Sequence, residues 1–202
     1  MDSRNIALIV HPTLRQDKNR CPQVSKSDYQ LVIARCQQLE KRVFPKSEAM
    51  DLSKELRKPN QFLYIVLQIP KSASKPDIIR DPLLSYGVLA FNKVDAVARI
   101  SKVCTDPRYR KQGAGELVVR GMLTSVGHPC ETGSEEMQES LKLICPIIQT
   151  KVASMQLHVD TERKDAIRLY TRCGFVKKTE IQAYYAESRN AFLMSRSFIF
   201  LG

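Results

Sequence analysis

The sequence predicts a mixed α/β fold, a central sheet with helices on both faces, and three observations carry that prediction. Apolar runs of strand length and stretches of helical period succeed one another in the order β-α-α-β-β-β-α-β-α-β-β. The 202 residues suit one domain, a size that buries roughly 70% of its unfolded surface. The 43% hydrophobic and 26% charged residues are those of an ordinary soluble globular chain.

The apolar residues 5–10 predict a short first strand, ending at His11-Pro12, and the polar stretch 14–24 a loop. Ser27-Asp28 is the expected N-cap of a helix over 29–43, where Leu31, Val32, Cys36, Leu39 and Val43 fit one face. A second short helix is expected over 47–56, ended by Pro59-Asn60. Residues 62–69 are almost continuously apolar and predict a buried strand. The three prolines of 70–82 make a surface loop. Two strands follow, over 83–92 and 94–104, with a hairpin tip near Asn92-Lys93. A helix is expected over 113–126, then a polar interruption, then helical pattern again over 137–152, limited or kinked by Pro146. The chain closes with a strand over 154–160, a helix over 163–173 and strands over 175–183 and 192–200.

Composition excludes several classes. No apolar run reaches the ~18 residues of a membrane span, and Met1-Asp2-Ser3-Arg4 does not open like a signal peptide. The six cysteines, Cys21, Cys36, Cys104, Cys130, Cys145 and Cys173, are widely spaced, and they read as reduced thiols of an intracellular protein, cytoplasmic and also compatible with the nucleus. Three histidines make a zinc site improbable, and His128 with Cys130 is too little to build one. The net charge of +11 is dispersed, so nucleic-acid or ribosome contact is open but unsupported by a motif.

The stretch Val103-Cys104-Thr105-Asp106-Pro107-Arg108-Tyr109-Arg110-Lys111-Gln112-Gly113-Ala114-Gly115 joins a strand pattern to a helix pattern. A helix opening exposes unpaired N–H groups and a positive dipole end, so it can hold an anion such as a pyrophosphate. Glycines let the backbone come close to that ligand. A P-loop would need Lys-Ser/Thr after its second glycine, and a dinucleotide fingerprint would need glycine where Val118 stands. The stretch instead resembles motif A of the GNAT (GCN5-related) N-acetyltransferases, Arg/Gln-x-x-Gly-x-Gly/Ala, through Arg110, Gly113 and Gly115.

A second resemblance to the same family lies in Ala166-Ile167-Arg168-Leu169-Tyr170-Thr171-Arg172-Cys173-Gly174-Phe175, similar to its motif B. Positions 166, 169, 170 and 173 also form one helical face, and Gly174 is placed as a C-terminal cap. Tyr184-Tyr185 followed by Ala191-Phe192-Leu193-Met194 resembles the tail of protein N-terminal acetyltransferases. In the family one helix usually covers the span after motif A, so residues 127–137 read as an insertion in a single GNAT domain over 1–202.

The resemblance implies a mostly antiparallel sheet and direct acetyl transfer from acetyl-CoA to an amine. It assigns the main chain of Val103 and Thr105 to the pantetheine arm, and Arg110, Lys111, Gln112, Gly113, Ala114 and Gly115 to the pyrophosphate. Arg163 stands where the family often has a cofactor-binding Asn, and a phosphate is within its chemistry. Tyr170 is implied as the proton donor to the departing thiolate, His158 as the base, directly or through water, and Tyr184 and Tyr185 as lining the acceptor site. An unperturbed histidine, with pKa about 6.5, suits proton relay near neutrality. Nothing marks Cys104 as a nucleophile. The first acceptor implied is a protein N-terminus or lysine. A small amine (polyamine or arylalkylamine) is second, and a non-enzymatic acetyl-CoA-binding module third.

Overall fold

The computed structural model describes residues 3–10, 24–129, 133–142, 144 and 152–198. Among them lie strands β1 (Ser3–Val10), β2 (Gln61–Pro70), β3 (Leu83–Asn92), β4 (Val97–Thr105), β5 (Ser154–Asp160), β6 (Val176–Ala186) and β7 (Arg189–Ser197). The helices are α1 (Lys26–Val43), α2 (Leu52–Glu55), α3 (Ala114–Ser125), α4 (Glu135–Leu141) and α5 (Lys164–Arg172). The seven strands make one sheet in the order β1-β2-β3-β4-β5-β7-β6. Every neighbouring pair is antiparallel except β4 and β5. The mixed, mostly antiparallel α/β architecture expected from the sequence is therefore the one found.

Two apolar layers flank the sheet. On one face α1 and α2 cover Leu63, Ile65, Leu67, Tyr86, Val88 and Cys104. On the other, α3 and α5 cover Tyr64, Val66, Leu89, Met155, Leu157 and Val159. The alternation of Tyr64 and Val66 with Leu63 and Ile65 explains why this strand reads as apolar throughout. Gly87 lets α3 lie close: a Cβ there would meet Met122 Cε at 2.5 Å and Val118 Cγ1 at 2.7 Å.

Several boundaries differ from expectation, for local reasons. The N-cap of α1 is Ser25, whose hydroxyl accepts from the Asp28 N–H at 3.1 Å, so the helix starts three residues before residue 29. The second helix shrinks to Leu52–Glu55, capped by Asp51. The preceding residues are drawn away by α1 side chains: Glu40 accepts from the Met50 N–H, and Gln37 from the Leu52 N–H, both at 2.8 Å. Ser134 caps α4 through the Met137 N–H, so Glu135 and Glu136 are helical rather than loop, and α4 ends at Leu141. His11, Pro146 and much of the expected 137–152 helix lie outside the described residues. The last strand begins at Arg189, because a tight turn at residues 187–188 joins it to β6.

Candidate active site

The site begins with a break in the sheet. β4 and β5 pair only from Val97–Ser154 to Ile100–Leu157. On the other side of β4, Lys102 faces Val88 while Ile100 faces Leu89, which leaves Ser101 as an extra residue. Such a bulge bends its strand and ends regular pairing. Beyond it Val103 and Thr105 remain paired with β3 but have no ladder partner on β5. A cleft of about 870 Å³ opens there, lined by Val103, Cys104 and Thr105, by residues 109–111 and 113–116, and by the first turns of α5 through Tyr170.

The turn from β4 to α3 closes one end. Asp106, almost fully buried, caps a 3-10 turn at Pro107–Tyr109 and is ion-paired to Arg42 at 2.7 Å and Arg108 at 2.8 Å. Lys111 and Gly113 both have positive φ, 60° and 81°, which aims the chain into α3. Gly113 is the N-cap and gives no side-chain bond, so the first N–H groups of α3 face the cleft end uncapped. Neither Arg110 nor Lys111 has a side-chain hydrogen bond or ion pair among the described residues, although both sit near Asp165. Gly115 lines the cleft and also has a packing duty: a Cβ there would meet Thr105 Oγ1 at 2.9 Å and Leu169 Cδ1 at 3.2 Å. It is the point at which α3 packs on β4 and α5. Gln112 lies outside the lining and donates to the Arg108 carbonyl at 3.3 Å.

Other basic residues along this cleft are already matched. Arg168 pairs with Asp165, and Arg172 with Glu116 at 3.2 Å. Arg163 lines the cleft, but it pairs with Glu48 at 2.6 Å and lies over the Phe44 ring. The unengaged positive charge is thereby concentrated at Arg110 and Lys111, beside the α3 N-terminus.

Tyr170 reaches the cleft from α5, with its ring edge-on to Phe175. Its hydroxyl has no hydrogen-bond partner among the described residues, and burial, with Tyr185 and Cys173 adding to it, pushes its pKa well above the phenol range. Gly174, at φ 84°, ends α5, and the Phe175 N–H bonds back to the Tyr170 carbonyl at 3.0 Å. Cys104 is buried and its thiol is pushed up to about 12, first by burial, so it stays protonated.

His158 and the tyrosine pair stand apart from this lining. His158 stacks on Tyr184 with ring centroids 4.6 Å apart, and Tyr185 donates to the His158 carbonyl at 3.3 Å. Partial desolvation beneath Tyr184, then the charge of Arg99, hold the pKa of the otherwise exposed His158 below its ordinary value.

Sequence reasoning missed the ion cluster that joins these parts. Arg189, at the start of β7, donates to Glu48 at 2.5 Å and to Asp160 at 2.9 Å. The Arg189 bond holds the Glu48 carboxyl below its usual range. For Asp160 burial acts upward, and the Glu162 N–H and Arg189 outweigh it. Behind them Lys102 joins Glu40 at 3.0 Å, donates to the Glu48 carbonyl at 3.0 Å, and lies over Phe44. Buried Glu40 also accepts from the Tyr86 hydroxyl. Positions 48, 160 and 189 share no spacing pattern, so no sequence signal could have joined them.

A strand pair that parts beside an uncapped, cation-flanked helix opening defines a cleft for an elongated anionic ligand. No family model and no curated protein matches the sequence. Solved structures do. The chain is similar to the ribosomal-protein-S18-alanine N-acetyltransferase of Escherichia coli, with TM-score 0.59 at 15% identity over 98% of this chain and 97% of that one. It is similar to the NatC complex bound to Gag peptide and CoA, with TM-score 0.58 at 14% identity over 98% and 100%. A spermidine N-acetyltransferase chimera of Vibrio cholerae SpeG and hSSAT gives 0.55 at 13% identity over 82% and 89%. The fold is therefore that of the GNAT N-acetyltransferases.

Proposed function

We propose that this protein is an acetyl-CoA-dependent N-acetyltransferase that moves the acetyl group directly to an amine of a polypeptide, an N-terminus or a lysine. The observation that carries the reading is the parting of β4 from β5 directly beside the α3 opening with its unengaged Arg110 and Lys111. The residues fit acetyl-CoA: unpaired strand edge at Val103 and Thr105 for an amide-bearing arm, and helix N–H groups with two cations for a pyrophosphate. Similar folds solved with CoA support the same choice. Bound there, acetyl-CoA supplies a thioester whose acyl carbon accepts an amine nitrogen.

The chain's own groups perform the proton work. An ammonium must lose its proton before nitrogen can attack. His158, kept neutral near pH 7 by partial desolvation and Arg99, takes that proton through water from the acceptor side. Tyr170, held protonated by burial, gives its proton to the departing thiolate. N–H groups at the free edge of β4 stabilise charge on the carbonyl oxygen.

A polypeptide acceptor is favoured over a polycation by the charges at the cleft. Glu116, Glu162 and Asp165, the carboxylates that line it, are each ion-paired, and so are Glu48 and Asp160. A second cation would find no free carboxylate there among the described residues. Reduced, buried Cys36, Cys104 and Cys173 suit a cytoplasmic setting. No helix of the described residues is long and apolar enough to cross a membrane.

CoA release measured against N-terminal peptides, lysine peptides and small amines tests the reading. Peptide acetylation is expected. Turnover confined to polyamines or arylalkylamines would move the protein to small-molecule acetylation, and acetyl-CoA binding without turnover would make it a binding module. The proposed base gives a second expectation. Because the His158 pKa is lowered, the neutral form persists down through pH 6.5, and kcat/KM should fall only as acid protonates the ring. In His158→Gln that acidic limb should vanish, with about 100-fold lower kcat/KM. A limb that persists in the variant would place the base elsewhere.

A further inference from the structure

Among the described residues, α1 and α2 cover β1 to β4 on their side of the sheet and leave β5 to β7 bare. The apolar cluster beneath them includes β1 to β4 but no residue of β5, β6 or β7. Beyond it the strand register places Arg99, Gln156, His158, Leu193, Thr179 and Ile181 together on one face that no helix among the described residues covers. Leu193, Gln156 and Ile181 are half-buried, while Arg99, His158 and Thr179 are exposed. Asp160 ends this row on β5, and Arg189, bonded to it, lies over the ring of Tyr185, which packs edge-on against Tyr184.

Resting on the transferase reading above, we propose that this face receives the acceptor polypeptide and that Arg99 selects chains with a carboxylate just beyond the amine. Arg99 sits opposite Gln156 on β5, two residues along from His158 and four from Asp160. Those steps are about 7 and 13 Å of strand, which an extended peptide crosses in roughly two to four residues. Arg99 is exposed and has no hydrogen bond or ion pair among the described residues. The register puts Arg99 and His158 on the same side of the sheet, close enough for the guanidinium charge to act on the imidazole. Asp160 and Glu48, two acids on the way to the cleft, are engaged by Arg189. Arg99 is thus an uncompensated guanidinium, suited to a carboxylate fork, on a protein of net charge +11. Arrival of an acidic chain is favoured by both the local and the overall charge.

The test uses the full chain and peptides with an acceptor amine, identical except for Glu, Gln or Lys at the third, fourth or fifth residue. The expected result is a preference for Glu over Lys of about ten-fold in kcat/KM, weakened by added salt, and an inverted preference in Arg99→Glu. Acetyl-CoA binding reports whether that variant is folded. Peptide turnover with no charge preference, or the same preference in Arg99→Glu, would overturn the role of Arg99 and leave the transferase reading standing. Turnover of small amines without any peptide, or none at all, would overturn the polypeptide acceptor and this inference together.

Discussion

Gly113→Asp should abolish measurable acetyl-CoA binding, weakening it at least about 100-fold in Kd by calorimetry. Two effects act together. Gly113 has φ 81°, a left-handed conformation that costs a side-chain residue about 1 kcal/mol. The larger effect is charge, because a carboxylate would stand at the helix opening, next to where a pyrophosphate is proposed to lie. Space alone is not the obstacle, since a Cβ at 113 would meet nothing closer than Met137 Cε at 3.8 Å. Gly113→Ala separates the two: it carries the strain without the charge and should lose only about five-fold in affinity. If Gly113→Asp binds acetyl-CoA like the parent chain, the α3 opening is not the pyrophosphate site.

Tyr170→Phe should lower kcat about 100-fold while leaving the Kd for acetyl-CoA nearly unchanged. The ring that packs edge-on against Phe175 is kept, so the wall of the cleft survives. The hydroxyl has no partner among the described residues, so its loss leaves no buried group stranded, and the denaturation midpoint should hardly move. That combination distinguishes a proton donor from a packing residue. Unchanged kcat would assign Tyr170 to the core alone.

Elements whose signal is local were legible in the sequence. The period-3.6 face of α5, with Gly174 beyond it, appears where it was expected, although Ile167 also turns inward. The β4-to-α3 turn was legible because a strand, two glycines and a helix follow in 13 residues. The short α2 was overestimated because helical propensity there loses to Gln37 and Glu40, which capture the backbone of Met50 and Leu52. Local pattern cannot report a competition with side chains ten or more residues away.

Charge was the least legible property. Arg108, Arg163, Arg168 and Arg172 all add to the net positive charge of the sequence, yet each is ion-paired with a carboxylate. Arg110 and Lys111 at one end of the cleft and Arg99 on the open face have no such partner among the described residues. Gly115, which reads as a ligand-binding glycine, lines the cleft and also leaves no room for a Cβ against Thr105 and Leu169.

By itself, then, the sequence determined the element order, the buried strands and the strand-turn-helix opening, because each rests on periodicity and turn chemistry within a few residues. The tertiary structure alone decided where β4 leaves β5, through one extra residue at Ser101. It also decided which charges are spent and which are free, since Glu48, Asp160 and Arg189 meet only after the sheet has formed. Their meeting depends on long-range contacts that no spacing along the chain encodes.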